Sequence, residues 1–327
     1  MSMRQDLAIV IPVWNLPEDL AFLLKQIAEL GIFSEVIISD DASDRDCRPD
    51  NLGFSEKRLN ARLVYLRSDR QRGAGHARNI GFQAVTAENI LFFDADDRLT
   101  EALPEILQQH LEAGSPDFTI FRHSDTRVEA MEGRRGTFLS EEDLWSGALG
   151  AQAQGLLSFD QRAALCNISA YPWNKIYRTA FLRDEGISCS ETPVHNDIRL
   201  HWLSFLRARK VLATRRIGAV HVIEDRDHHL TTRRGDVRLC LAGILAELTR
   251  EIRAMPGKSI MMQQFIHFVD SICRWNLGHV DAELGPKFVK LAKDAYLDFR
   301  PEEFRLYAHR YPDRADAIVQ FLLNEGA

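Results

Sequence analysis

The stretch Asn89 to Arg98 reads NILFFDADDR, an apolar run followed by Asp94, Asp96 and Asp97, with no Lys or Arg before Arg98. Carboxylates this close repel one another unless a cation sits among them. A hard divalent ion such as Mg²⁺ or Mn²⁺ takes oxygen ligands and keeps positions open for phosphate. Asp96 and Asp94 are therefore candidate metal ligands, Asp96 facing an ion that neutralises a diphosphate and Asp94 on its shell or on a ribose. The alternative is local: Asp97 caps the next helix and the other two are solvated turn residues.

Two further segments carry chemistry of the same kind. Asp40-Asp41-Ala42-Ser43-Asp44 ends another apolar run and is suited to accepting hydrogen bonds from a base N–H or ribose hydroxyls, or else serves as a turn. RGAGHARNIG (72–81) supplies small residues that permit close approach, together with Arg72 and Arg78, which could bind a base or phosphate oxygens. It lacks the lysine of a phosphate-binding loop.

The elements that must position these groups alternate. LAIVIPV, EVIIS, RLVYL, ILFF and DFTIF are short and apolar, while PEDLAFLLKQIAEL places Leu20, Leu23, Leu24, Ile27 and Leu30 on one helical face. This order predicts an α/β fold with a Rossmann-like, mostly parallel sheet flanked by helices, in which ligands bind beyond the carboxyl ends of the strands. Between Thr126 and Gln161 the alternation dissolves into an expected irregular insert with one helix near Glu141 to Leu149. HNDIRLHWLSFLRA predicts a helix and VLATRRIGAVHVI strands. After His229 the chain predicts helices near Val237 to Ala254, Ile260 to Trp275 and Lys287 to Leu297. The expected division is a catalytic domain over 1–230 and a C-terminal helical region over 231–327.

Composition narrows the class. The 327 residues carry 41 Lys plus Arg against 47 Asp plus Glu, a formal charge of −6, so no global field gathers nucleic acid and none is expected as a partner. Five scattered cysteines without a CxxC suggest neither a disulfide framework nor a thiolate zinc site, and fit a reducing cytoplasm. The apolar run from Leu7 is interrupted by Pro12 and is too short for a secretory signal core or a membrane span.

In order along roughly the first 230 residues, VIPVWN, SDDASD, GAGHARNIG, FFDADD, PWNKIYRTAFLRDEGI and HNDIRLHW resemble the family 2 glycosyltransferases of the GT-A fold. The resemblance implies a nucleotide-diphosphate-sugar donor, UDP-linked by expectation, a divalent metal (Mn²⁺ or Mg²⁺), and inversion in a single displacement. By position it implies that Pro12, Asn15 and Asp41 line the nucleotide pocket, that Arg78 lies near the base or diphosphate, and that Asp94 and Asp96 form the metal motif. The catalytic base falls on Asp197. The acid that commonly precedes that base is here Asn196, placed to hydrogen-bond an acceptor hydroxyl. Trp173, in PWNKIY, matches a segment on the acceptor side where an aromatic face can stack on a sugar, although a core position is the commoner fate of a tryptophan. In HVIEDRDHHLTTRR, His221 is a candidate third metal ligand and Arg233 or Arg234 a candidate to offset charge on the departing nucleotide, with His228-His229 read as solvated loop.

The expected acceptor is a hydroxyl of a glycan or lipid-linked saccharide, in polysaccharide assembly. Lys287, Lys290 and Lys293, interleaved with Phe288, Val289 and Leu291, could lie at the inner face of a membrane, and the same tail could form a homodimer contact; packing against its own core is the alternative. Two rival classes stay open. One is a saccharide- or nucleotide-binding protein that kept this fold without activity, for which Asn196 is the hint. The other is a nucleotidyltransferase, which the acidic, glycine-free PVWNLPED after the first strand disfavours.

Overall fold

The computed structural model describes residues 6–223, 234–255, 257 and 259–324. The first half alternates as β1 (Leu7–Val13), α1 (Pro17–Leu30), β2 (Glu35–Asp40), α2 (Glu56–Leu59), β3 (Arg62–Arg67), α3 (Ala74–Gln83), β4 (Asn89–Phe92), β5 (Arg98–Leu99), α4 (Leu103–Glu112) and β6 (Phe118–Asp125). Next come α5 (Thr126–Glu132), α6 (Leu139–Leu149), β7 (Gln154–Leu156), α7 (Phe159–Leu165), β8 (Lys175–Arg178), α8 (Thr179–Asp184), α9 (Ile198–Arg207) and β9 (Val211–His221). The tail holds α10 (Leu241–Arg253), α11 (Ser259–Leu277), α12 (Gly285–Leu297), α13 (Pro301–Arg310) and α14 (Pro312–Leu323).

The strands form one nine-stranded sheet in the order β3-β2-β1-β4-β8-β6-β9-β5, with β7 beside β9. β3, β2, β1 and β4 are parallel, as expected. The other half is mixed: β8 runs antiparallel between β4 and β6, and β5 and β7 run antiparallel to β9. β7 and β8 come from stretches outside the alternation, so the sheet is mixed rather than mostly parallel. β1 explains the continuous apolar run. Leu7, Ile9 and Ile11 enter the core under α1 and α4, whereas Ala8 and Val10 enter the core on the opposite face. A strand buried on both faces needs no polar alternation.

Two expectations change in the second half. The insert is ordered, with α5, α6, β7 and α7, because buried Val128, Trp145, Ala148, Leu149, Ala163 and Leu165 anchor it. The tail adds α13 and α14 to the expected helices and shares a core with the first domain, where Trp202 of α9 packs on Phe265 and Phe268 of α11, both at 5.1 Å between ring centroids. α12 buries Phe288, Ala292 and Tyr296 against that core, and Lys293 donates to the Leu322 and Asn324 carbonyls at the end of α14. Of the apolar residues interleaved with Lys287, Lys290 and Lys293, Phe288 is thus buried in the protein's own core, while Val289 and Leu291 are partly exposed. Among the described residues no helix is long and apolar enough to cross a membrane.

Candidate active site

β1 lies between β2 and β4, so the loops after all three parallel strands open at one sheet edge. They line a cleft of about 890 Å³. On one side stand Pro12, Asn15, Asp41, Asp44 and Arg72. Here the polar side chains brace one loop against the next. Asn15, at φ +58, accepts at Oδ1 from the amides of Asp44 (2.7 Å) and Arg45 (3.0 Å). Asp41 accepts from the amides of Arg72 (2.8 Å) and Gly73 (2.6 Å), which fixes the start of α3. Asp40, buried beneath, receives Tyr65 Oη, Arg67 Nη1 and the Ser43 amide.

The acidic turn after β4 divides its charges. Asp94 pairs with Arg78 at 2.5 Å. Asp97 is buried and caps no helix: it accepts from His221 Nδ1 at 2.9 Å and from the Val222 amide at 3.0 Å. Asp96 lines the cleft, and burial together with Asp97 and Asp94 pushes its carboxyl up to about 7. Burial would lower the pKa of His221, but Asp97 holds it above the ordinary imidazole value. Among the described residues no group of three or more His, Cys, Asp or Glu is arranged to hold a metal ion. Facing the cleft are Asp94, paired with Arg78, together with Asp96 and His221, whose Nδ1–H is donated to a carboxylate, the arrangement that orients metal-binding imidazoles. A divalent cation suits this chemistry because it would favour the ionised form of Asp96.

The opposite wall comes from the loop before α9. Asp197 stands at the helix start without capping it, and burial raises its carboxyl to about 6 against the opposing pull of Arg78. Asn196 is buried, and its Oδ1 accepts from Arg78 Nη1 at 2.7 Å. Arg78 is thus a buried bridge between the acidic turn and the loop before α9, with both guanidinium ends engaged within the protein. The small residues of α3 make the bridge possible. A Cβ at Gly75 would fall 2.0 Å from the Ser190 carbonyl oxygen and 2.9 Å from Asn196 Cβ. One turn on, Asn79 exchanges hydrogen bonds with both the amide (3.0 Å) and the carbonyl (3.1 Å) of Cys189.

Trp173, expected to offer a face to the acceptor, is buried in the short 3-10 turn Pro172–Asn174. It stacks on Tyr171 at 4.5 Å and meets His123 edge-on at 5.0 Å, so it packs into the cleft floor and cannot stack on a sugar through the covered face. The tail supplies aromatic surface that the sequence did not reveal: Trp275 of α11 and Arg238 of the 3-10 segment Asp236–Cys240 both line the cleft. Pro12, Asn15, Asp41, Arg78, Asp94, Asp96, Trp173, Asn196, Asp197 and His221 are therefore brought to one cavity. Arg233 and His228-His229 lie outside the described residues.

A half-parallel sheet whose central strand loops face a helix start across an acidic turn is the GT-A fold of the glycosyltransferases. Residues 8–163 match the family model described as glycosyl transferase family 2. Among solved structures, S. aureus TarS 1-349 in complex with UDP-GlcNAc aligns at a TM-score of 0.72 and 15% identity, over 97% of this chain and 90% of that one. The mannosyltransferase PcManGT from Pyrobaculum calidifontis, in complex with GDP-Man and Mn²⁺, aligns at 0.54 and 13%, over 99% and 89%. At these identities the likeness is one of fold. No curated protein matches the chain.

Proposed function

We propose that the protein transfers a sugar from a UDP-linked donor to a hydroxyl of a glycan or lipid-linked saccharide, with inversion. The carrying observation is the cleft itself, with strand-end loops and the acidic turn on one side and Asp197 on the other. Neighbours of the same fold bind UDP-GlcNAc or GDP-Man. Pro12, Asn15 and Asp41 would shape the nucleotide pocket. Asp96 and His221, the latter oriented by Asp97, would hold Mn²⁺ or Mg²⁺. When bound, that ion supplies positive charge to the leaving diphosphate.

In a single displacement the acceptor oxygen bonds to the anomeric carbon as the bond to the diphosphate oxygen breaks, and the acceptor's proton passes to Asp197. A base with a pKa near 6 is ionised at neutral pH yet basic enough to help. Arg78 would keep Asp94 and the base loop in register rather than touch phosphate, since Asp94 and Asn196 engage both ends of its guanidinium. The test is UDP release from a panel of UDP-sugars by wild type and Asp197→Asn. The reading expects the variant to bind donor but to turn over about 10²–10⁴-fold more slowly. Normal turnover by Asp197→Asn removes the base assignment, and failure of every UDP-sugar to bind removes the donor class.

A further inference from the structure

His195 sits two residues before Asp197 at φ +59, a left-handed conformation uncommon outside glycine. Such strain persists where the surroundings hold it in place, and it collects at functional sites. Here the surroundings belong to the helical tail. Asn276, fully buried on α11, accepts at Oδ1 from His195 Nε2 (3.0 Å) and from Arg238 Nη1 (2.8 Å), and its Nδ2 donates to the Ile272 carbonyl (2.8 Å). Because a guanidinium can only donate, the Asn276 amide has one orientation, and Nε2 of His195 must carry a proton. Cys240 also donates through Sγ to the Val194 carbonyl of the same loop.

The remaining ring nitrogen, Nδ1, has no hydrogen-bond partner among the described residues and is not among the sealed polar atoms, while the ring itself lines the cleft. Beside it, Trp275 is held between nearby groups, with Arg238 4.8 Å from the ring centroid and His279 stacked at 4.3 Å, and stays 38% exposed.

We propose that His195, fixed by Asn276 in its Nε2–H tautomer, accepts a hydrogen bond at Nδ1 from a hydroxyl of the saccharide acceptor, so that the helical tail builds one wall of the acceptor subsite. This rests on the glycosyltransferase reading above. Asn276 acts through His195 and is a positioning residue. Burial pushes the His195 pKa down to about 4, with Asn276 opposing and Arg238 adding to the effect, so the ring is neutral and Nδ1 is a competent acceptor at ordinary pH. The groups packed around it are Arg238 and Cys240 from the 3-10 segment, Trp275 and Asn276 from α11 with His279 beyond them, and Asp197 on its own loop.

The test is nitrogen NMR of the full chain with ¹⁵N-labelled histidine, in UDP and Mg²⁺, with methyl glucoside, galactoside and mannoside as acceptor probes. The spectrum of His195→Gln identifies the His195 signals. Wild type is expected to show a protonated Nε2 and a bare Nδ1, with the Nδ1 signal moving when a glycoside is added. Asn276→Asp sets a carboxylate against the same nitrogen and should move the His195 titration midpoint upward by about 1–3 pH units, with the glycoside response lost below the new midpoint. A protonated Nδ1 in wild type, or an Nδ1 signal unmoved by all three glycosides while UDP is bound, overturns the inference and leaves the donor reading standing. If UDP itself does not bind, the donor reading is what fails.

Discussion

Replacing Asp96 with asparagine should stabilise the metal-free protein at neutral and alkaline pH. Burial, Asp97 and Asp94 raise the Asp96 carboxyl from its ordinary 3.8 to about 7. The folded chain therefore holds this proton more tightly than the unfolded chain does. Stability falls as pH rises from about 4 to about 7, and above that the full penalty applies. A rise of roughly three pH units corresponds to about 4 kcal/mol at about 1.4 kcal/mol each. Asp96 also faces the cleft, where water screens part of the effect, so about 2–4 kcal/mol is the working range. Asp96→Asn removes the ionisable group at nearly constant volume. At about 2 °C per kcal/mol for a chain of this size, its Tm in EDTA at pH 8 should exceed wild type by roughly 4–8 °C, with the gap closing near pH 4. Adding Mn²⁺ should then raise wild type and leave the variant unmoved. Differential scanning calorimetry across this range is the assay. A variant equal to or less stable than wild type at pH 8 in EDTA would refute the electrostatic account of the acidic turn.

Three further outcomes follow from the same geometry. Sugar transfer should rise with pH through about 6, where Asp197 ionises, and the residual rate of Asp197→Asn should lose that limb; a full pH profile checks both. Gly75→Ala drives a methyl group into the Ser190 carbonyl, so it should displace the base loop and cut turnover at least tenfold while donor binding changes less, as a comparison of kcat with donor Kd would show. Asn196→Ala strands a buried Arg78 N–H, which should cost about 1–3 kcal/mol in urea unfolding; an unchanged midpoint would mean that water replaces the amide.

How much of this was legible in the sequence depends on how local each signal is. β1 to β4 and their helices announce themselves because every residue of β1 and β2 is buried, and the acidic and small-residue motifs sit in adjacent strand-end loops. In the mixed half β6 and β9 were legible as strands but their pairing was not, because β7, with three residues, and β8, with four, lie in stretches without strand alternation. Residue types proved clearer than their duties. Arg78 suggested a phosphate ligand, yet its partners lie 16 and 118 residues away in sequence. Trp173 suggested a sugar platform, but Tyr171 covers it. The wall formed by Trp275 and Arg238, with Asn276 buried behind it, left no motif, because its meaning appears only when α11 packs beside the His195 loop.

The most direct test of the central claim is the Tm of wild type and Asp96→Asn with UDP, GDP or no nucleotide, each in Mn²⁺ or EDTA. A ligand that binds only the native state at about a hundred times its Kd adds about 2.7 kcal/mol. The account predicts a rise with UDP and Mn²⁺ in wild type that disappears in EDTA and in the variant. No rise with either nucleotide, at concentrations that saturate an ordinary nucleotide site, would contradict it.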